Sequence, residues 1–149
     1  MKKIGIAMVL ALGLALAACG GGSSTGPANI SGNWTATLMN TDGTPALSFT
    51  TSLTQGSGTA TVTGTNLSFN PSTPCFTSGG SQTGTFLLSG NVNGMPTGVF
   101  QLTITSATPP GNTLTLQGTV TNNTIAGTWT LSGVTSGCTG TGNFTFTKM

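Results

Sequence analysis

Reactive side chains are scarce in this chain. Its 149 residues hold three cysteines (Cys19, Cys75 and Cys138), one carboxylate (Asp42) and three cations (Lys2, Lys3 and Lys148), with no His, Glu, Arg or Tyr. One carboxylate and no imidazole exclude paired acid/base catalysis, the Ser-His-Asp triad and metal sites built from His or carboxylates. Ser and Thr hydroxyls abound, but none has a base to activate it. Asp42 stands in Asn40-Thr41-Asp42-Gly43, where it forms a turn. Three cations cannot neutralise a phosphate backbone, so nucleic acid is not a partner. The expected protein is not an enzyme, carries no cofactor and binds no metal. Thiol chemistry is what remains.

Cys19 has a distinctive setting. Met1-Lys2-Lys3 is a short basic start, and Ile4 to Ala18 is a 15-residue run without a charge. A permanent bilayer span needs about 20 apolar residues, so this run has the length and flanks of a signal peptide. It ends Leu16-Ala17-Ala18-Cys19, which closely resembles the lipobox of bacterial lipoprotein precursors. That resemblance implies cleavage after residue 18 and acylation of Cys19 with at least two chains, enough for stable membrane attachment. Residue 20 is Gly, and the absence of Asp there favours the outer membrane in a Gram-negative cell. Residues 19–28, Gly/Ser-rich after the Cys, form a flexible tether. Loss of residues 1–18 removes Lys2 and Lys3, leaving Asp42 and Lys148 to sum to zero. The domains expected are a signal peptide (1–18), a lipidated tether (19–28) and one folded unit (29–149) in the cell envelope.

The folded unit must be read from its alternation. Leu114, Leu116 and Val120 fall on one face of their segment, and Thr113, Thr115, Thr119 and Thr121 on the other. Phe100, Leu102 and Ile104 oppose Gln101, Thr103 and Thr105; Phe144 and Phe146 oppose Asn143, Thr145 and Thr147. This is the period of a half-buried strand. Thr makes up 32 of the 149 residues, and its branched side chain suits an exposed pleat. Turn residues cut the unit into eight runs: 30–39, 45–55, 59–69, 83–92, 98–106, 113–121, 124–132 and 141–148. A parity change between Val62 and Leu67 places a bulge near Gly64. Seven of the eight runs are uncharged, whereas open sheet edges are normally guarded by charge. An eight-stranded antiparallel up-and-down β-barrel removes the edges; a β-sandwich is the alternative. A transmembrane barrel with its apolar face outward is disfavoured by the missing Tyr girdle.

In an up-and-down barrel the odd connections share one end. Segments 70–82 and 133–140, the two longest, are both odd, so Cys75 and Cys138 meet there. An exported chain favours a disulfide between them, strapping the mouth across a loop of about 64 residues and contributing roughly 4 kcal/mol. Two separate thiols are the other reading. The termini, and so the tether, belong to the opposite end.

Gly32-Asn33-Trp34 opens the first run and Phe146-Thr147-Lys148 closes the last. This pairing resembles the calycin superfamily of lipocalins, fatty-acid-binding proteins and avidins, the avidin branch most. The resemblance implies that Trp34 packs under Lys148 where the barrel closes. It does not extend to biotin, because Ala36 stands where avidins carry an Asn two residues after this Trp. Gly127-Thr128-Trp129 repeats the Gly-x-Trp string, and both Trp residues equally suit a plain core. The interior expected from parity holds Trp34, Leu38, Phe49, Leu53, Phe86, Leu88, Phe100, Leu102, Leu116, Trp129, Phe144 and Phe146. Of these, Trp34, Phe49, Phe86, Phe100, Leu102, Leu116, Trp129 and Phe144 would line an apolar pocket for a small hydrophobic ligand. The alternative is a solid core in a structural or adhesive surface module. No protein partner is specified.

Overall fold

The computed structural model describes residues 29–56, 60–76, 82–92, 95–107 and 110–149, with the backbone alone for 82–92, 95–97 and 107. Residues 1–28, with the expected signal peptide, the expected tether and Cys19, lie outside the described residues. The strands are β1 (Gly32–Asn40), β2 (Pro45–Gln55), β3 (Thr61–Phe69), β4 (Gln82–Val92), β5 (Met95–Ala107), β6 (Pro110–Thr121), β7 (Thr124–Ser132) and β8 (Gly140–Lys148). Each pairs antiparallel with its neighbour in sequence, and β1 pairs with β8, so the sheet returns on itself as an up-and-down barrel. The sandwich alternative fails on this connectivity. A sandwich needs two sheets with separate edges, and here a ladder crosses every seam. Among the described residues the β3–β4 seam holds four residue pairs, Thr61↔Thr85 to Gly64↔Gln82, and the β1–β8 seam runs from Trp34↔Lys148 to Asn40↔Gly142.

Alternation sorts the side chains as expected. On β8, Phe144 and Phe146 are buried and Asn143, Thr145 and Thr147 exposed; on β7, Ile125, Trp129 and Leu131 are buried and Thr124, Thr128 and Thr130 exposed. Apolar side chains therefore face inward, against the outward-facing arrangement a transmembrane barrel requires. The core is aromatic at its centre. Phe146 meets Phe49 edge-on at 5.6 Å between centroids, Phe100 at 5.7 Å and Phe144 at 5.5 Å. Such tilted and edge-on pairs each contribute about 0.5–1.5 kcal/mol beyond the area they bury.

Two local readings need correction. The bulge expected near Gly64 is present within the Val62–Leu67 window but two residues further on, since Gly64 itself pairs regularly with Leu53 and Gln82. It lies at Asn66–Leu67, opposite Thr51, where the partners jump from Thr50↔Ser68 to Ser52↔Thr65. Asn66 takes the positive φ of +54° that the extra residue demands, a conformation its short amide side chain tolerates. Thr51 Oγ1 then donates to Thr65 O across the bulge at 2.8 Å. The second correction concerns 107–112, expected as a break. β5 and β6 run through much of it to Ala107↔Pro110, with a second bulge at Gly111–Asn112. Gly111 supplies a φ of +89° there. Pro110 has no N–H to give, but it sits at the strand start, where a ladder tolerates it.

Candidate functional site

The barrel has two chemically different ends. At the closing end, Trp34 is fully buried and its indole N–H donates to Ile30 O at 2.8 Å. Ile30 N donates to Gln55 Oε1 at 3.1 Å, and Gln55 N donates to Ser31 Oγ at 3.0 Å. The chain entering β1 is thus fastened to the end of β2. Lys148 Nζ stands 5.7 Å from the centre of the Trp34 ring. Gly32 makes room for it: a Cβ there would lie 2.8 Å from Lys148 Cε, and the φ of +138° is itself one that side chains avoid. Lys148 N donates to Asn123 O at 3.1 Å and Met149 N to Asn33 O at 2.9 Å, completing the closure.

At the other end, which we call the mouth, Cys75 and Cys138 form a disulfide with Cα atoms 5.5 Å apart. Both are buried. The bridge ties the connection after β3 to the one after β7, across the mouth as the loop parity required. Phe76, next to Cys75, stacks on Phe69 at 5.2 Å between centroids. Beside the bridge lies Asn112, fully buried and given no role in the sequence reading. Its Nδ2 donates to Cys75 O at 3.0 Å and to Thr135 Oγ1 at 3.1 Å, and its Oδ1 accepts from Thr135 N at 3.3 Å. One amide thus joins both connections to β6. Its position within a Pro-Gly-Asn string gave no signal of this, because Asn in such a string is ordinarily a solvent-facing turn residue.

A cleft of about 400 Å³ opens at the mouth. One wall is the start of β2, Pro45 to Leu47; another is Pro71 to Cys75; Gly137 and Thr139 flank the bridge on the far side; Trp129 and Leu131 form the floor, and Asn40 stands at the rim. No lining side chain is ionisable. The Trp129 indole N–H donates to Met39 O at 2.9 Å. Gly142 permits this, since a Cβ there would fall 1.9 Å from Met39 O and 2.8 Å from the indole nitrogen. Pro71 follows a cis peptide bond, and Ser48 Oγ donates to Asn70 O just before it.

Of the residues expected to line an interior pocket, Trp129 alone lines this cleft. Trp34, Phe49, Phe100, Leu102, Leu116 and Phe144 are buried within one hydrophobic cluster, together with Leu38, Leu53 and Phe146. The side chains of Phe86 and Leu88 lie outside the described residues. The Phe146 ring meets Phe49, Phe100 and Phe144 at 5.5–5.7 Å between centroids, and the cleft opens beside the connections after β3 and β7.

Near the cleft, Asp42 accepts from Thr44 N at 2.9 Å and from Thr44 Oγ1 at 2.6 Å. These bonds, the side-chain one first, hold its carboxyl below the ordinary 3.8. It closes the β1–β2 turn and is fully exposed. No protein family, curated protein or solved structure matches this chain.

Proposed function

We propose that the chain is a lipid-anchored, non-enzymatic lipoprotein of the cell envelope, hung from Cys19 by its tether and working through its mouth. In a Gram-negative cell the outer membrane is its place. The observation that carries this reading is the polarity of the barrel. Asn29 and Ile30, where the described chain begins, are fastened at the Trp34–Lys148 end, while the disulfide, Asn112 and the cleft gather at the other. A tether leaving the closing end holds that end against the membrane and turns the mouth away. The seat for a small ligand is then the mouth cleft, with the packed aromatic interior as its rigid support. We count eight staves in this barrel, β4 among them; its pairing to β3 and to β5 supports the count. The Trp34–Lys148 contact supports the calycin-like closure.

The anchor is tested by expressing the full precursor in a bacterium fed radiolabelled palmitate. Label in the wild-type protein, lost in Cys19→Ala together with membrane fractionation, is the expected outcome. An unlabelled wild-type chain recovered without membrane contradicts the reading.

A further inference from the structure

We propose that the mouth cleft binds an uncharged saccharide of about disaccharide size, with Trp129 as floor and Ser72, Thr73, Thr139 and Asn40 as the hydroxyl-reading rim. The proposal rests on the reading of the mouth as the working end.

The first argument is charge. Every lining side chain is uncharged. The nearest ionisable group on this end, Asp42, already accepts two hydrogen bonds from Thr44. A charged ligand group would lose water in this cleft with no counter-charge to replace it, which costs several kcal/mol unless the group is paired. The occupant is therefore neutral.

The second argument is the mixture of surfaces. Pro45, Pro71, Pro74, Ala46 and Leu47 present C–H surface, with Leu131 and Trp129 buried beneath them. Ser72 and Thr139 present hydroxyls, while Asn40 Nδ2 already donates to Thr44 Oγ1 at 3.0 Å and Thr73 Oγ1 accepts from Cys75 N at 3.2 Å, leaving Asn40 Oδ1 and the Thr73 O–H for a ligand. Hydroxyls both donate and accept, so the rim matches a ligand that itself carries hydroxyls. Trp129 Nε1 is committed to Met39 O and its ring is buried, so it closes the bottom of the cleft and gives the ligand no hydrogen bond. A molecule with C–H faces and hydroxyl edges satisfies both surfaces at once. A pure hydrocarbon would strip water from the rim and replace none of its hydrogen bonds.

The third argument is rigidity. Three prolines, the Cys75–Cys138 bridge and the Asn112 bonds hold the walls in place before binding. Weak neutral contacts suffice when little conformational freedom is left to lose. A volume of about 400 Å³ falls within the range of small-molecule sites.

The test is a titration of the isotope-labelled full-length protein in detergent micelles, followed by NMR at the Trp129 indole N–H and the amides of Ser72, Thr73 and Thr139. The probes are cellobiose, maltose and N,N′-diacetylchitobiose, with glucose 6-phosphate and 1-octanol as charged and apolar comparators. At least one neutral disaccharide is expected to give saturable, millimolar shifts confined to these signals, at least tenfold tighter than glucose 6-phosphate. The exposed-rim variant Ser72→Ala/Thr139→Val, with its remaining spectrum unchanged, is expected to weaken that binding about tenfold, the equivalent of 1.4 kcal/mol. Silence with all three disaccharides, preference for the phosphate or the octanol, or undiminished binding by the double variant overturns the proposal. Palmitate labelling of Cys19, read on the same preparation, reports separately on the anchor.

Discussion

Lys148 Nζ sits 5.7 Å from the centre of the Trp34 ring, and the two residues are register partners on the seam where the last strand meets the first. The contact joins the beginning and the end of the sheet. It places the only lysine among the described residues over an indole face whose N–H is already used by Ile30 O. Replacing Lys148 by Met keeps the length of the stem over Gly32 and removes the charge. We expect a loss of about 1 kcal/mol in urea denaturation followed by Trp fluorescence. No loss would reduce the contact to coincidence of packing.

The disulfide stabilises from the other end. Its 63-residue separation makes the loop long, and in the chain-entropy account it contributes about 4 kcal/mol by restricting the unfolded chain. The Cys75→Ser/Cys138→Ser variant is expected to shift the denaturation midpoint accordingly while keeping a β-type circular dichroism spectrum. A midpoint unchanged from wild type contradicts it.

Asn112 makes a sharper test of how the mouth is held. Asn112→Leu leaves Cys75 O and Thr135 N without their partner, at about 1–3 kcal/mol for each buried orphan. Hydrogen exchange at Thr135 and its neighbours is expected to quicken, with the β1–β8 amides unaffected. Equal quickening at both ends would show that Asn112 supports the whole barrel rather than its mouth.

These tests also mark what the sequence made legible. Strand identity was plain, because Thr-out, apolar-in alternation on β6, β7 and β8 leaves no second face to bury. The disulfide followed from loop parity. The bulge at Asn66 was misplaced because Gly64 is the better-known breaker, whereas the structure uses the amide residue for the left-handed turn. Asn112 was hidden because a Pro-Gly-Asn string reads as exposed turn. The cleft was hidden because it is assembled from three separate connections, and no local pattern records where loops from different strands meet. Phe49, Phe100 and Phe144 were correctly placed inside, yet alternation carries no information on whether inward rings enclose space or fill it.

The pH response should be small and of one sign. Thr44 holds the Asp42 carboxyl below 3.8 in the folded protein, so its contribution is present above the unfolded-state value and is lost as pH falls through the lowered folded value. Stability is therefore expected to stay level as acid is added until pH falls below about 4, then to dip slightly. Asp42→Asn should remove the dip. A strong pH dependence surviving in that variant would contradict the assignment.

The central claim is the direction in which the barrel faces. On the anchoring we propose, a ten-residue Gly/Ser segment would span about 17 Å on average, less than the roughly 30 Å reach of a nine-residue strand, so the two ends should differ in distance from lipid. The direct measurement is quenching by a headgroup-bound nitroxide of a fluorophore placed at Asn123, on the closing end, or at Thr41, on the mouth, in the acylated protein in vesicles. Both positions are exposed. We expect strong quenching at Asn123 and little at Thr41. Equal quenching, or the reverse order, would contradict the account.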